Sequence, residues 1–247
     1  MPASLYRLVR SKLPGNPNPA FLTAAQVLQT SRQVKTYLLC PTCEQRLNQN
    51  GEKWVLRHCY RGKKAFRLQD ILKAATPLWP DDPDKDFLVF AASQIPAIDV
   101  AKLAYFGVSV FWRAAVCSWR TPTGVLQLQL GPYEEAFRQY LGGGSVFPPN
   151  AALWVTVSAS EEPPEVIFAP AMLRRETYRQ FRFVIQGITF QLFTGARIPP
   201  MIRNSCLVHS PGNLLFFASL VDEAWLFEVL GLFSATRRIS NRTGYPR

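Results

Sequence analysis

The fold is decided by residues 98–119, which read IDVAKLAYFGVSVFWRAAVCSW. Apolar side chains would nearly encircle the axis of a helix built from this stretch, which is typical of a helix in the centre of a domain. Asp99 precedes the first turn, where its carboxylate can accept a backbone N–H as an N-cap. Lys102 and Arg113 interrupt the stretch, whereas a bilayer span needs about 20 nearly uncharged residues. The pattern predicts a long buried helix in a soluble core.

The chain after this helix is rich in predicted strands. Residues 133–141 form a compact amphipathic pattern that the glycines at 142–144 should end. Five apolar or alternating runs then follow between turn residues: ALWVTVSA, EVIFAP, RQFRFVIQ, ITFQLFTG and LLFFASLV. Gly187 is a predicted turn or bulge between the third and fourth of these runs. FLVFAAS, ahead of the long helix, is a candidate strand or helix, and WLFEVLGLF a candidate helix. Strands grouped apart from helices predict the α+β class.

A Pro-rich, acidic segment at residues 77–86 (PLWPDDPDKD) separates two apolar regions and is the predicted linker. It divides the chain into a small basic module (1–76), a larger α+β domain (87–236) and a basic tail (237–247). Three helices are predicted in the module: residues 4–13, residues 44–57 with a break near Asn50-Gly51, and FRLQDILKAA. Because 48% of the residues are hydrophobic and 18% charged, wholesale disorder is excluded.

The net charge of +11 is concentrated at the two ends of the chain. Residues 1–73 hold 13 Lys and Arg against 3 acids, and residues 237–247 hold 4 against none, whereas the segment between them holds 11 against 14. A local excess of this kind favours polyanions, with nucleic acid the commonest case and an anionic membrane surface the next. The alternative is a basic surface that only keeps the protein soluble.

Basic and aromatic residues interleave in WVLRHCYRGKKAFR at residues 54–67. Cations of this kind can contact phosphates, and aromatic rings can stack on unpaired bases. The candidate nucleic-acid-binding residues are Arg57, Tyr60, Arg61, Lys63, Lys64 and Arg67. Alternatively, Trp54 and Phe66 are core residues of the module and the cations are its solvated shell.

Five cysteines, an odd number without framework spacing, and an N-terminus without a signal-peptide pattern predict a reducing compartment, the cytoplasm. Cys40-Pro41-Thr42-Cys43 supplies two thiolates with the spacing of half a zinc site. The nearest residues that could complete the site are His58 and Cys59, although adjacent side chains usually diverge. Zinc binding, a metal-free remnant, a thioredoxin-like redox pair and a buried structural role all stay open. With two histidines in the chain, no hydrolytic triad is singled out.

The segment KTYLLCPTCEQRLNQNGEKWV (35–55), together with MPASLYRLVRS at the start, resembles a group of bacterial proteins related to treble-clef HNH endonucleases. In that group an upstream cysteine pair and a Ser-His-Ile-Ile/Leu-Pro stretch lead into a basic helix, and a Leu-Leu-Cys-x-x-Cys-Glu segment follows. Pro2 matches the proline of the first stretch, and the second is matched by Leu38, Leu39, Cys40, Cys43 and Glu44. The resemblance covers about 60 residues and implies a zinc-ribbon-like or treble-clef-like module packed on the larger domain.

The upstream cysteine pair and the histidine of that group would lie ahead of Met1, so this chain lacks two expected zinc ligands and the histidine that activates water. The resemblance therefore implies a nucleic-acid-binding protein with a partial or degenerate HNH-like zinc module, in bacterial defence or a mobile element. One alternative is an HNH-like metal-dependent nuclease whose first strand is missing from this chain. Another is a protein-interaction module that does not bind nucleic acid.

Overall fold

The computed structural model describes residues 20–22, 27–29, 38–62, 65–78, 87–121, 124–163, 167–173 and 177–218. The helices are α1 (Pro41–Leu47), α2 (Lys53–His58), α3 (Arg67–Lys73), α4 (Val100–Val116), α5 (Tyr133–Gly142) and α6 (Pro200–Asn204). A π-helical turn (Asn48–Glu52) joins α1 to α2, and a 3-10 turn spans Ala92–Gln94. The strands are β1 (Ala20–Leu22), β2 (Val27–Gln29), β3 (Phe87–Ala91), β4 (Trp119–Thr121), β5 (Gly124–Leu126), β6 (Ala151–Ser158), β7 (Ile167–Leu173), β8 (Arg179–Ile185), β9 (Ile188–Thr194) and β10 (Leu214–Ala218).

Eight of these strands form one mixed sheet in the order β2-β1-β7-β8-β9-β6-β10-β3, and β4 and β5 pair separately. Neighbours in the large sheet are antiparallel except β1 with β7 and β6 with β10, which are parallel. The chain is thus a mixed α and β protein, which confirms the predicted α+β class. Strands β6, β8 and β9 are buried along most of their length because helices or loops cover both faces of the sheet.

Helix α4 lies on one face of the sheet and is the long buried helix that its apolar pattern predicts. The Asp99 carboxylate accepts a hydrogen bond from the Lys102 backbone N–H at 3.0 Å, so Asp99 is the N-cap, as predicted. Phe106 and Phe111 pack against the rings of β8 and β9, with centroids 5.5 Å apart for Phe106 and Phe190. A Cβ at Gly107 would lie 2.8 Å from the Phe190 ring, so this glycine lets the helix approach the sheet.

A two-residue turn at Gln186 and Gly187 connects β8 to β9. Both residues have positive φ, 34° and 81°, as in the type I′ turn that matches the twist of a hairpin. A Cβ on Gly187 would lie 2.7 Å from the ring of Phe66, so a larger residue would also collide with the segment leading into α3. The prediction of a turn at Gly187 is therefore confirmed.

The run from Pro41 to His58 is helical throughout and packs across α4. The predicted break near Asn50-Gly51 is the π-helical turn, in which the helix widens without ending. A Cβ on Gly51 would lie 2.8 Å from the Phe106 backbone nitrogen and 2.9 Å from the Lys102 carbonyl oxygen. Gly51 therefore brings the backbones of the helical run and α4 into direct contact.

Residues of both predicted modules share one hydrophobic core, in which Val55, Phe66 and Leu72 pack with the residues of α4 and the sheet. The predicted linker lies mostly outside the described residues, as do the predicted helices at 4–13 and after residue 218 and the basic tail. The module boundary and the zinc-ribbon-like or treble-clef-like form of residues 1–76 stay predictions. Among the described helices, none combines the length and the hydropathy that a membrane crossing requires.

Candidate functional site

The N-terminal end of the helical run carries the Cys-x-x-Cys pair on the surface. Cys40 precedes the first turn with extended backbone (φ −68°, ψ 160°), Pro41 starts α1, and Cys43 lies in its first turn. Both cysteines are exposed free thiols. Hydrogen bonds from the Cys43 backbone N–H and the Cys43 thiol lower the pKa of Cys40, and the same thiol contact raises the pKa of Cys43. The two thiols therefore influence one another's protonation.

The C-terminal end of the run carries His58 and Cys59, and both are buried. The His58 ring stacks on Trp54 at a centroid distance of 4.0 Å, and its Nδ1 lies 2.7 Å from the Trp54 carbonyl oxygen. Burial, followed by the charges of Arg67 and Arg57, lowers the pKa of His58, although the Trp54 contact opposes this. The Cys59 thiol donates to the Leu56 carbonyl at 3.6 Å, and burial raises its pKa to about 12.

The predicted zinc ligands Cys40, Cys43, His58 and Cys59 are not brought together by this arrangement. Cys43 and His58 are fifteen positions apart along the helical run, about 22 Å at 1.5 Å per residue, whereas zinc holds its ligands within about 2.3 Å. All five cysteines and both histidines of the chain belong to the described residues. Within that part of the chain, no three Cys, His, Asp or Glu side chains form a possible metal site. The donors among the described residues therefore do not fit a four-ligand zinc site.

Exposed cations cluster around the junction of α2 and α3. Arg57 lies in the last turn of α2, Arg61 follows in the connecting loop, and Arg67 begins α3, and all three are exposed. The charges of Arg57 and Arg67 both act on His58, and that of Arg61 acts on Cys59, so all three guanidinium groups surround the same short segment. Lys53 lies one turn before Arg57 and is also exposed. We call Lys53, Arg57, Arg61 and Arg67 the basic surface.

Three other predicted nucleic-acid contacts differ from these arginines. Tyr60 is 5% exposed, and its ring packs edge-on against Phe66, with centroids 6.1 Å apart. The Tyr60 backbone N–H also donates to the Gln186 carbonyl at 2.9 Å, which ties this segment to the β8–β9 turn. The Tyr60 ring therefore faces the core of the protein. The alternative prediction placed two neighbouring aromatic residues, Trp54 and Phe66, in the core in the same way. Lys63 and Lys64 lie outside the described residues.

A buried ion pair beneath the helical run is not apparent from sequence motifs. Glu52, in the π-helical turn, lies 3.7 Å from the Arg113 guanidinium of α4. Burial raises the pKa of the Glu52 carboxyl, and burial lowers the pKa of Arg113. Arg113 Nε also donates to the Ser109 carbonyl at 3.2 Å. Arg113, a charged residue in the middle of the apolar 98–119 stretch, is the sequence feature that could have indicated this pair.

A shallow cleft of about 240 Å³ lies at the far end of the β8–β9 hairpin, lined among others by Tyr133, Tyr178, Arg179 and Thr194. Its Arg179 donates to the Gln129 carbonyl at 2.9 Å. Strand β8 separates this cleft from the Gln186 turn by seven residues, about 23 Å of extended chain. The cleft is therefore not part of the basic surface.

Comparison with family models, with characterised proteins and with solved structures found no match to this chain.

Proposed function

We propose that the protein binds nucleic acid through the basic surface, by contacts with the phosphate backbone. The observation that carries the proposal is the crowding of four exposed cations around the α2–α3 junction. Like charges one helical turn apart, as in Lys53 and Arg57, cost about 0.2–0.5 kcal/mol per pair. A polyanion would relieve this repulsion and release its own counterions, so the surface is suited to phosphates.

The distribution of charge supports the same proposal. Described residues 38–78 expose six cations (Arg46, Lys53, Arg57, Arg61, Arg67 and Lys73) against two acids (Glu44 and Asp70). Because Tyr60 is buried and Trp54 is stacked on His58, the aromatic rings of this segment are engaged within the protein. Binding then rests on charge more than on base stacking, and we expect little discrimination between sequences.

The test is the salt dependence of binding, measured by fluorescence anisotropy with labelled single-stranded and double-stranded oligonucleotides. Each phosphate contact contributes about 0.7–0.9 to the slope of log K against log salt. The triple variant Arg57→Ala/Arg61→Ala/Arg67→Ala should therefore lower the magnitude of the slope by about 2 to 3. If the triple variant has the same slope as the native chain, the basic surface does not contact the phosphates and the proposal is wrong.

A charge-matched control separates the basic surface from the general charge of the protein. Arg138, Arg179 and Arg197 are also exposed, and they lie outside the α1–α3 segment. The variant Arg138→Ala/Arg179→Ala/Arg197→Ala removes the same net charge and should leave most of the slope in place. Equal losses in the two triple variants would mean that affinity follows net charge and not this surface.

The pKa of His58 provides a second test of binding at the basic surface. The positive charges of Arg57 and Arg67 contribute to its lowered pKa, so phosphates bound to these arginines should raise that pKa. An NMR titration of the His58 imidazole with and without saturating oligonucleotide measures the change. A His58 pKa that is unaffected by bound oligonucleotide would contradict binding at this junction.

A further inference from the structure

The Cys40/Cys43 pair has the geometry of a reactive dithiol. Both cysteines are exposed free thiols, and they lie three residues apart at the start of the helical run. Residues three apart on a helix have Cβ atoms about 5–6 Å apart, and a disulfide needs about 3.5–4.5 Å. Cys40 precedes the helix and has extended backbone, so its Cβ is not held at the helical spacing.

The other cysteines of the chain lack this arrangement. Cys59 and Cys206 are buried and donate hydrogen bonds to backbone carbonyls, and Cys117 stands alone at the end of α4. No third cysteine or histidine is placed to complete a metal site with the pair, since all seven such residues belong to the described part of the chain. The disagreement with the zinc hypothesis thus leaves two adjacent thiols that are open to solvent.

We propose that Cys40 and Cys43 form a redox-active pair that exchanges with the disulfide bond of another molecule. The Cys40 thiolate attacks one sulfur of that disulfide, which forms a mixed disulfide and releases the first thiolate. Cys43, after losing its proton to solvent, attacks the Cys40 sulfur, which closes the Cys40–Cys43 disulfide and releases the second thiolate. Two electrons pass from the pair to the substrate, and the two released thiolates take up two protons.

The roles of the two residues follow from their positions. Cys40 precedes the first turn of the helical run and its thiol is exposed, so the disulfide of another molecule can reach it. Cys43 is exposed in the first turn, three residues from Cys40, so it is placed to resolve a mixed disulfide faster than a second molecule could.

The experiment incubates the full reduced chain with oxidised glutathione or with a disulfide-bonded peptide and follows intact mass. With the native sequence, we expect the loss of two hydrogens and a Cys40–Cys43 link in the peptide map, with little mixed disulfide at any time. The Cys43→Ser variant should instead accumulate glutathione on Cys40, because the resolving thiol is gone. Oxidation by the peptide alone would indicate a protein disulfide as substrate, and oxidation by both would indicate a broader substrate class.

Two controls make the proposal easy to overturn. Cys117 is the other partly exposed thiol, so Cys117→Ser should leave the oxidation of the pair unchanged. If Cys43→Ser accumulates no more glutathione on Cys40 than on Cys117, or if neither probe links the pair, the proposal is wrong. The same holds if elemental mass spectrometry finds about one zinc per chain that the Cys40→Ser/Cys43→Ser variant loses, since a closed zinc site takes up both thiolates.

Discussion

The two ends of the helical run from Pro41 to His58 carry the same kinds of side chain in opposite surroundings. At the first end, Cys40 and Cys43 are free thiols that face solvent. At the other end, Cys59 is buried and its pKa is raised to about 12, so almost none of it is thiolate at neutral pH. Residue type alone therefore does not make a site, because burial decides which of the three thiols is able to react.

The middle of the run explains why its ends differ. Gly51 and Glu52 hold the π-helical turn against α4, through backbone contact and the ion pair with Arg113. From this anchor the run enters the core toward Val55 and Cys59, and reaches the surface toward Cys40. Substitutions should therefore affect stability most in the middle, less at the buried end and least at the exposed end.

The largest loss should follow Arg113→Met, which leaves the Glu52 carboxylate buried without its partner. Removing one member of a buried pair typically costs about 3–5 kcal/mol of unfolding free energy. Urea denaturation followed by circular dichroism measures this loss. The double variant Glu52→Gln/Arg113→Met should recover part of it, because no unpaired charge remains. Arg138→Met, which removes an exposed arginine, is the control. If Arg113→Met is as stable as this control, the middle of the helical run is not its anchor.

A smaller loss, about 1–3 kcal/mol, should follow Gly51→Ala, because the new methyl group would collide with backbone atoms of α4 that cannot move aside. The matched control is Gly142→Ala at the end of α5, where a Cβ has no atom within 4 Å. Alanine is favoured over glycine in a helix by about 0.5–1 kcal/mol, so the control should be neutral or stabilising. Equal effects of the two substitutions in the same denaturation assay would contradict close packing at Gly51.

Local patterns predicted the elements of this fold better than their contacts. The cap at Asp99, the apolar helix after it and the turn at Gly187 are each specified by residues close together in sequence. The parallel pairing of β6 with β10 joins residues about 60 apart, and no local pattern selects that partner. The ion pair of Glu52 with Arg113 is equally non-local. The Cys-x-x-Cys spacing was visible, but the 22 Å separation from His58 appears only once the intervening helix is in place.

The buried end should show a pH-dependent stability that arises from His58. Its pKa is lowered in the folded state, so below the ordinary value near 6.5 the unfolded chain binds more protons than the folded one. This contribution to the unfolding free energy is complete above about pH 6.5 and is lost as the pH falls through the lowered folded-state pKa. Denaturation curves between about pH 5 and pH 7 measure it. In His58→Asn, the amide can still donate to the Trp54 carbonyl, but this part of the pH dependence should vanish. If the pH profile of the variant matches that of the native chain, the pH dependence of stability arises from other groups.

The smallest effect on stability should come from the exposed end. Cys40→Ser/Cys43→Ser changes two solvent-facing atoms, and surface substitutions usually stay within about 0.5 kcal/mol. Cys59→Ser makes the same chemical change in the core, where a hydroxyl that is poorly hydrogen-bonded costs about 1–3 kcal/mol. Structural zinc sites contribute directly to folding, so a zinc ion held by Cys40 and Cys43 would reverse this order. A double variant less stable than Cys59→Ser would therefore contradict both the contrast between the two ends and the dithiol proposal.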